Sequence, residues 1–275
     1  MEAGQARGYA TEVIDHGLCS PLLAGAKSGL LLSGKPLGLP DVAIPRIGAN
    51  MTIRGAALIR QLDAVGVPHT LDATALQLAR DKMSCLQTLH TAGVAMPETA
   101  LCFSVAEART VARRMGPFPV VVKLLESTHG IGVALATSMY QLERVVEGFL
   151  QFQDRILLQE YIRESRGVDV RAFVVGGKIV AAMERRATGS EFRANIHRGA
   201  TATALNPEEL DTELILKAAR TVGVEVAGVD LIPSRRGPLL MEINASPGLE
   251  GIEGVTKVDI AGAIVEYAAQ KVKPV

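Results

Sequence analysis

The sequence predicts an α+β protein whose second half is largely antiparallel. Three observations carry this: apolar, β-branched runs after residue 120 joined by short glycine or proline turns, helix-capping signals between them, and no internal repeat or low-complexity tract. With 275 residues and 48% hydrophobic composition the chain can bury a large core, arranged as one or two domains. Its 29 basic and 29 acidic residues cancel, so no bulk charge draws it to nucleic acid or to an anionic membrane. Cys19, Cys85 and Cys102 are odd in number and far apart, which fits reduced thiols better than a disulfide framework. No apolar run approaches the ~18 residues of a membrane span, and Met1-Glu2-Ala3-Gly4-Gln5 opens no signal peptide, so the expected location is cytoplasmic.

In chain order, the first ten residues read as the end of a helix and Ala10 to Ile14 as a short strand. Leu30 to Leu32, the turn Ser33-Gly34-Lys35, and Asp41 to Pro45 suggest paired strands. Asn50 or Thr52 caps a helix over Gly55 to Val65, and a longer helix from about Thr74 to Ala92 bridges two domains, 1–80 and 81–275. Ser104 with Glu107, and Ser138 with Gln141, are capping-box patterns opening helices to Met115 and Phe149. Between and after them lie strands at Val120 to Leu125 and Ile156 to Ile162, then a hairpin of Val168 to Val175 and Lys178 to Met183 around Gly176-Gly177. Asn206-Pro207 opens a helix that Gly223 stops. Strands Val226 to Ile232 and Leu239 to Ala245 follow, and Val258 to Lys271 closes the chain as an amphipathic helix.

The last hairpin carries Asp230, Glu242 and Asn244. Side chains two apart on a strand share a face, so Glu242 and Asn244 point the same way, with Asp230 beside them if the register permits. Oxygen donors without sulfur or imidazole suit a hard cation, and few carboxylates suit Mg²⁺ completed by water and phosphate oxygens. From the hairpin alone, a cation site and an ordinary solvent-facing ribbon are equally good readings. Lys123 lies inside an apolar strand, where its burial is unfavourable unless an anion meets it. The loop after it, Glu126-Ser127-Thr128-His129-Gly130-Ile131-Gly132, has the glycines that let backbone N–H groups approach phosphate. Gly29 to Lys35 also satisfies Gly-x-x-x-x-Gly-Lys, but Pro36 stands where a P-loop needs a hydroxyl, so a hairpin turn is the better reading. Asp169 and Arg171 share a strand face, Arg185-Arg186 end the next strand, and Arg193, Asn195, His197 and Arg198 crowd the loop beyond. That local excess of cations fits a site for phosphates and carboxylates better than a solvated surface. His129 and His197 read more naturally as structural groups than as bases.

Taken in order, Lys82, Lys123, Gln159-Glu160-Tyr161-Ile162, Asp169-Val170-Arg171, Arg193-Ala194-Asn195, Asp230 and Met241-Glu242-Ile243-Asn244-Ala245-Ser246-Pro247-Gly248 make the chain resemble the RimK-type ATP-grasp ligases. The resemblance runs from near residue 1 to about Glu266 and is densest over Val168 to Glu253. It implies a small α/β pre-ATP-grasp domain followed by two α+β subdomains clasping ATP. It places Lys82 and Lys123 on the phosphates, Glu160 and Tyr161 at the adenine, and Asp169 at the ribose. Arg193, Ala194 and Asn195 would line the phosphate region, and Asp230, Glu242 and Asn244 would hold two Mg²⁺ or Mn²⁺ ions. The implied chemistry is phosphorylation of a carboxylate to an acyl phosphate, then amide formation with an amine. Arg171 and Arg185 are candidates for stabilising the acyl phosphate and the oxyanion, and Arg46 or Arg198 for holding a substrate carboxylate.

Similar proteins add L-glutamate to the C-terminus of a small-subunit ribosomal protein or make α-linked glutamate chains, and assemble as homodimers or homotetramers. Within the same chemistry an amino-acid ligase for a carrier protein, a cofactor or a small peptide remains open; from another class, a nucleotide-binding regulatory protein without turnover. The family's glycine loop usually reads Glu-Gly-Thr-Gln-Gly-Ile-Gly, so Ser127 and His129 depart from it. The resemblance begins partway into the family's first helix. The expectation is an N-terminally truncated first domain, with the true start upstream or a less stable form.

Overall fold

The computed structural model describes residues 1–126, 132–165, 167–188 and 199–272. A short helix α1 (Glu2–Gln5) precedes an antiparallel ribbon of β1 (Cys19–Leu22), β2 (Gly29–Leu32) and β3 (Lys35–Pro36). Ser33 and Gly34 take φ of 49° and 79°, the left-handed backbone of a two-residue hairpin, so the Gly-x-x-x-x-Gly-Lys segment is a turn as its proline implied. Residues 10–14 form no strand, because no neighbouring strand offers them a ladder. Of the expected strand at 41–45, a single parallel bridge from Ala43 to His69 forms.

The expected helix from Thr74 to Ala92 is two helices. After α2 (Thr52–Ala64), α3 (Ala73–Arg80) and α4 (Lys82–Thr91) meet at Asp81, whose φ of −83° and ψ of 96° leave the helical region. Its backbone N–H closes α3 on the Gln77 carbonyl, while its carboxylate accepts from the Ser84 N–H at 3.0 Å and opens α4. A short acidic side chain that can satisfy the next helix's orphan donors favours such a break over continuous helix. The break puts Lys82 in the first turn of α4, where its ammonium donates to the Leu125 carbonyl at 2.7 Å.

A four-stranded antiparallel sheet follows, made of β4 (Thr99–Cys102), β5 (Val120–Lys123), β6 (Val133–Ala136) and β7 (Ile156–Glu160) in the order β4-β7-β5-β6. Helices α5 (Val105–Met115) and α6 (Met139–Phe149) cover one face, burying Ala108, Ala112, Leu142 and Val146 against Val120, Val122, Ile156 and Leu158. Both capping boxes form: the Ser104 hydroxyl accepts from Glu107 N–H and the Ser138 hydroxyl from Gln141 N–H, each at 3.2 Å. The two-residue strand period sends Val120 and Val122 to the helices and leaves Lys123 on the opposite face.

The largest sheet is also antiparallel throughout. It comprises β8 (Val168–Val175), β9 (Lys178–Arg186) and β10 (Thr201–Leu205), then, after α7 (Thr212–Val222), β11 (Val226–Ile232) and β12 (Leu239–Asn244). The order is β10-β9-β8-β11-β12. On one face Ala172, Val174, Ala227, Val229 and Leu240 pack with Leu76, Cys85, Leu89, Ile215 and Ala219 of α3, α4 and α7. The opposite face is apolar at one end only, where Phe173, Val175 and Val226 meet Ile252, Ile260 and Ile264 of α8 (Glu250–Thr256) and α9 (Ile260–Ala269). Beyond that end the same face carries charge.

Two helix expectations need correction. Asn206-Pro207 opens only the 3-10 turn Pro207–Glu209, and α7 starts at Thr212, where the Asp211 carboxylate accepts from Leu214 N–H at 3.0 Å. Helix α8 was not anticipated, because Gly251 and Gly254 within it weaken the apolar period.

Helix α2 and the arm before it touch closely: a β-carbon on Gly55 would lie 2.5 Å from Ile47 Cγ2. Gly55→Ala is therefore expected to overpack this contact and destabilise the fold by about 1–3 kcal/mol. Urea unfolding with an unchanged midpoint would contradict this.

Candidate active site

The charged face is set by the pairing of β11 with both its neighbours. Asp230 lies opposite Arg171 on β8 and opposite Glu242 on β12, and Gly228 opposite Asn244. A register shift between Asp230 and Leu231 leaves Met241 as the extra residue of β12, so Glu242 rather than Met241 comes to Asp230's side. Asp230, Glu242 and Asn244 thus share one face, as their spacing implied.

Four of these charges form a buried chain. Arg171 grips Asp230 bidentately, Nε to Oδ1 at 2.7 Å and Nη2 to Oδ2 at 2.6 Å. Arg185, 7% exposed, spans two carboxylates: its Nε donates to Asp169 at 2.6 Å and its Nη2 lies 3.1 Å from Asp230. Burial by itself would raise both aspartates. Asp169, with a single arginine, ends above the usual carboxylate range, whereas Arg171 and Arg185 together hold Asp230 below it. The Nη1 group of each arginine makes no hydrogen bond among the described residues, which leaves two donors of each guanidinium for a ligand.

Beside this chain a small cavity is lined by Lys82, Lys123, Gln159, Met241 and Glu242, with Cys85, Leu86 and Leu157 as its apolar wall. Lys123 makes no ion pair among the described residues. Its ammonium donates to Gln159 Oε1 at 2.6 Å. Gln159, 2% exposed, donates in turn to Thr99 Oγ1 at 2.8 Å, and that hydroxyl donates to the Pro97 carbonyl. The chain of donors orients the amide, so its oxygen faces the lysine. Burial pulls Lys123 down to about 8, against the attraction of Glu242. Burial lowers Lys82 as well, again opposed by Glu242.

The residues present fit nucleotide phosphates and a divalent cation. Two half-buried ammonium groups share a cavity, and Lys123 is met there by a neutral amide, so a polyphosphate would supply it with an opposing charge. Asp230 and Glu242 are like charges directly opposite one another, an unfavourable cross-strand pair. Asp230 has its arginines, but Glu242 forms no ion pair among the described residues, and a divalent cation held at this face would relieve the conflict. Asn244 adds a neutral oxygen and is held by accepting from Ser246 N–H at 3.0 Å. Among the described residues no group of three or more His, Cys, Asp and Glu is placed to bind a metal; two carboxylates and an amide would suit Mg²⁺ or Mn²⁺ completed by phosphate and water.

The structure therefore brings together Lys82, Lys123, Asp169, Arg171, Arg185, Asp230, Glu242 and Asn244. Glu160 and Tyr161 follow at the end of β7, where the Glu160 carboxylate accepts from Arg236 at 2.6 Å and ties β7 to the β11–β12 turn. Arg46 donates to the Pro247 carbonyl, next to the end of β12. Arg193, Ala194, Asn195, His197, Arg198 and the loop 127–131 with His129 lie outside the described residues. Sequence reasoning quoted Gln159 without assigning it a role; a glutamine inside the apolar run Ile156-Leu157-Leu158 was the available signal.

Two sheets with a lysine-lined cavity between them define the ATP-grasp fold. A ligase of this fold, PsnB complexed with minimal precursor, Mg and ADP, superposes with a TM-score of 0.75 at 19% identity, over 99% of this chain and 92% of that one. A RimK domain protein ATP-grasp from Sphaerobacter thermophilus gives 0.73 at 24% identity, over 97% and 92%. The model of the RimK-like ATP-grasp domain matches residues 79–268 and that of the RimK pre-ATP-grasp domain residues 1–76. A probable alpha-L-glutamate ligase of Cellvibrio japonicus is 46% identical over 277 residues, covering 100% of this chain and 91% of its own length. The chain belongs to the RimK-like ATP-grasp family, a family of ATP-dependent ligases. No helix among the described residues is long and apolar enough to cross a membrane.

Lys123 sits near 8 when the site is empty, below its unfolded value of ~10.4. Its deprotonation thus favours the folded state between these values, and its protonation favours an anion. Nucleotide binding at pH 8 should then take up a proton fraction on the order of 0.5 and weaken as pH rises further. Calorimetry in buffers of different ionisation enthalpy reads this uptake, and it should vanish in Lys123→Met. Asp230→Asn leaves Arg171 and Arg185 under-compensated and should lower unfolding free energy by about 3–5 kcal/mol without any ligand. Denaturant unfolding unchanged from the parent would show that the pairs contribute nothing.

Proposed function

We propose that this protein joins the amine of L-glutamate to the C-terminal carboxylate of a polypeptide, with a small-subunit ribosomal protein as first acceptor, or extends α-linked glutamate chains, driven by ATP. The observation that carries this reading is the cavity in which Lys82 and Lys123 face Glu242 beside the Arg171–Asp230–Arg185 chain. Cations for phosphates, an oxygen site for a metal, and arginine donors for an oxyanion stand side by side. The names of the relatives, probable alpha-L-glutamate ligase, support glutamate as the amine substrate.

In this reading the acceptor carboxylate oxygen attacks the γ-phosphorus of ATP, the bond to the β,γ-bridging oxygen breaks, and ADP leaves. The glutamate amine then attacks the carbonyl carbon of the acyl phosphate, inorganic phosphate departs, and the amine loses a proton. Such transfers need positioning and charge neutralisation more than covalent help from the protein. Lys82 and Lys123 hold the phosphates, Glu160 and Tyr161 flank the adenine, Asp169 meets the ribose, and Arg193, Ala194 and Asn195 complete the phosphate region. Arg171 and Arg185 present their Nη1 donors to the acyl phosphate and the tetrahedral oxyanion. Asp230, Glu242 and Asn244 hold the divalent ions, two per site, which neutralise charge on the transferring phosphoryl group when bound. No side chain needs to act as a nucleophile.

Purified protein incubated with Mg-ATP, mixed amino acids and a ribosomal-protein C-terminal peptide should yield peptide heavier by one or more glutamates in mass spectrometry. Free glutamate oligomers, or an amide on another acceptor, would keep the ligase chemistry and replace the acceptor. Nucleotide binding without any amide product would remove the proposed activity.

A further inference from the structure

Arg46 and Arg80 stand on either side of Ile47, at the junction between the N-terminal region and the end of β12. Arg46 donates to the Pro247 carbonyl, Ile47 N–H to the Ser246 hydroxyl at 3.1 Å, and Arg80 Nη2 to the Ile47 carbonyl at 2.7 Å. Ser246 and Pro247 follow directly on Asn244 and are tied to it through the Ser246 N–H. Both guanidiniums therefore reach the far end of the metal strand from outside the ATP-grasp sheets.

Neither arginine forms an ion pair among the described residues, whereas Arg171 and Arg185 each have a carboxylate. The Arg80 Nε–H is buried and has no hydrogen-bond partner among the described residues. An orphaned donor on a cation is costly, about 1–3 kcal/mol or more, and such a group in a native structure calls for an explanation, of which a functional role is one. Burial lowers the pKa of Arg80, opposed by the charge of Glu242, and desolvation of the guanidinium lowers that of Arg46. Both remain charged at any working pH.

The geometry points to Arg46 and Arg80 as a two-arginine subsite for a free carboxylate of the amine substrate, at the end of the metal strand. This rests on the amide-ligase reading above and names its substrate contact. Planar guanidiniums match carboxylates bidentately, whereas the two lysines deeper in the cavity are point charges suited to phosphate. A carboxylate held here would fix its amine near the Asp230–Glu242–Asn244 face, where the acyl phosphate forms. It would also give a reason for selecting an acidic amino acid: the incoming molecule keeps both of its carboxylates, so one can be gripped while the amine reacts.

The test compares the parent with Arg80→Gln, Arg80→Lys and Arg46→Lys, using L-glutamate, L-glutamine and glutamate α-amide as amine substrates. Arg80→Gln should raise KM for glutamate at least tenfold and leave KM for ATP within twofold. The parent should prefer glutamate at least tenfold over one of the two mono-amides, and that preference should collapse in Arg80→Gln, with the lysine variants intermediate. A rise in KM for ATP with glutamate KM unchanged would assign Arg80 to phosphate and overturn the proposal. So would a parent that uses both mono-amides as well as glutamate, a result that holds even if Arg80→Gln fails to fold. Calorimetric titration of glutamate into parent and Arg80→Lys with Mg-ADP present separates this inference from the proposed activity. Arginine-dependent glutamate binding without ligation would sustain the subsite and remove the ligase reading; equal affinities in the two proteins would overturn the subsite.

Discussion

The pairing of β11 between β8 and β12 governs the site. One register puts Asp230 opposite Arg171 and Glu242 at once, and brings Gly228 opposite Asn244. A slip by one residue would turn Asp230 into the apolar layer that Val229 and Ala227 share with α4 and α7, and expose the valines instead. Close packing guards the register: a β-carbon at Gly228 would lie 2.9 Å from Pro247 Cβ, so the turn after β12 rests directly on β11. Glycine is required there by proximity, because its φ is ordinary.

On that frame the protein buries charges in two different ways. The Asp169–Arg185–Asp230–Arg171 chain is internally neutral, and its hydrogen bonds offset much of the desolvation of four ionised groups. It rigidifies the face and leaves the Nη1 group of each guanidinium without a hydrogen bond among the described residues. The lysine cavity is different. Gln159 offers Lys123 an oriented oxygen but no charge, so the ammonium stays under-compensated and ready for an anion. A glutamate in that position would neutralise Lys123 within the protein and weaken its hold on phosphate. The neutral residue preserves the binding energy for the ligand.

The N-terminal region contributes more than a scaffold. Through Arg46, Ile47 and Arg80 it clasps the Ser246-Pro247 turn, and Ile47 is itself buried in the main core with Leu76, Leu89 and Ile243. The short segment Arg80-Asp81-Lys82 joins the two halves at the break between α3 and α4. It gives one cation to the β12 junction and another to the nucleotide cavity, with the capping Asp81 setting the angle between them.

Much of this was legible in the residues themselves. Alternation, caps and turn glycines located most strands and helices of the second half, because each depends on local sterics and a short hydrogen-bond pattern. The donors Asp230, Glu242 and Asn244, the lone Lys123 in an apolar strand, and the arginine-rich pair Arg171 and Arg185 stood out for the same reason: ionised groups in apolar surroundings demand partners. What the chain could not declare was pairing across distance. The split at Asp81 depended on whether a capping aspartate would outcompete a continuing helix. The role of Gln159 required Thr99, sixty residues away, to orient its amide. Arg80 gives no local signal; only the packed structure buries its Nε–H and brings its Nη2 to the Ile47 carbonyl. Sequence alone determined which residue types could do this chemistry, since charge and strand period are local properties. Tertiary structure decided which of them meet, since burial and register arise only when distant segments pack together.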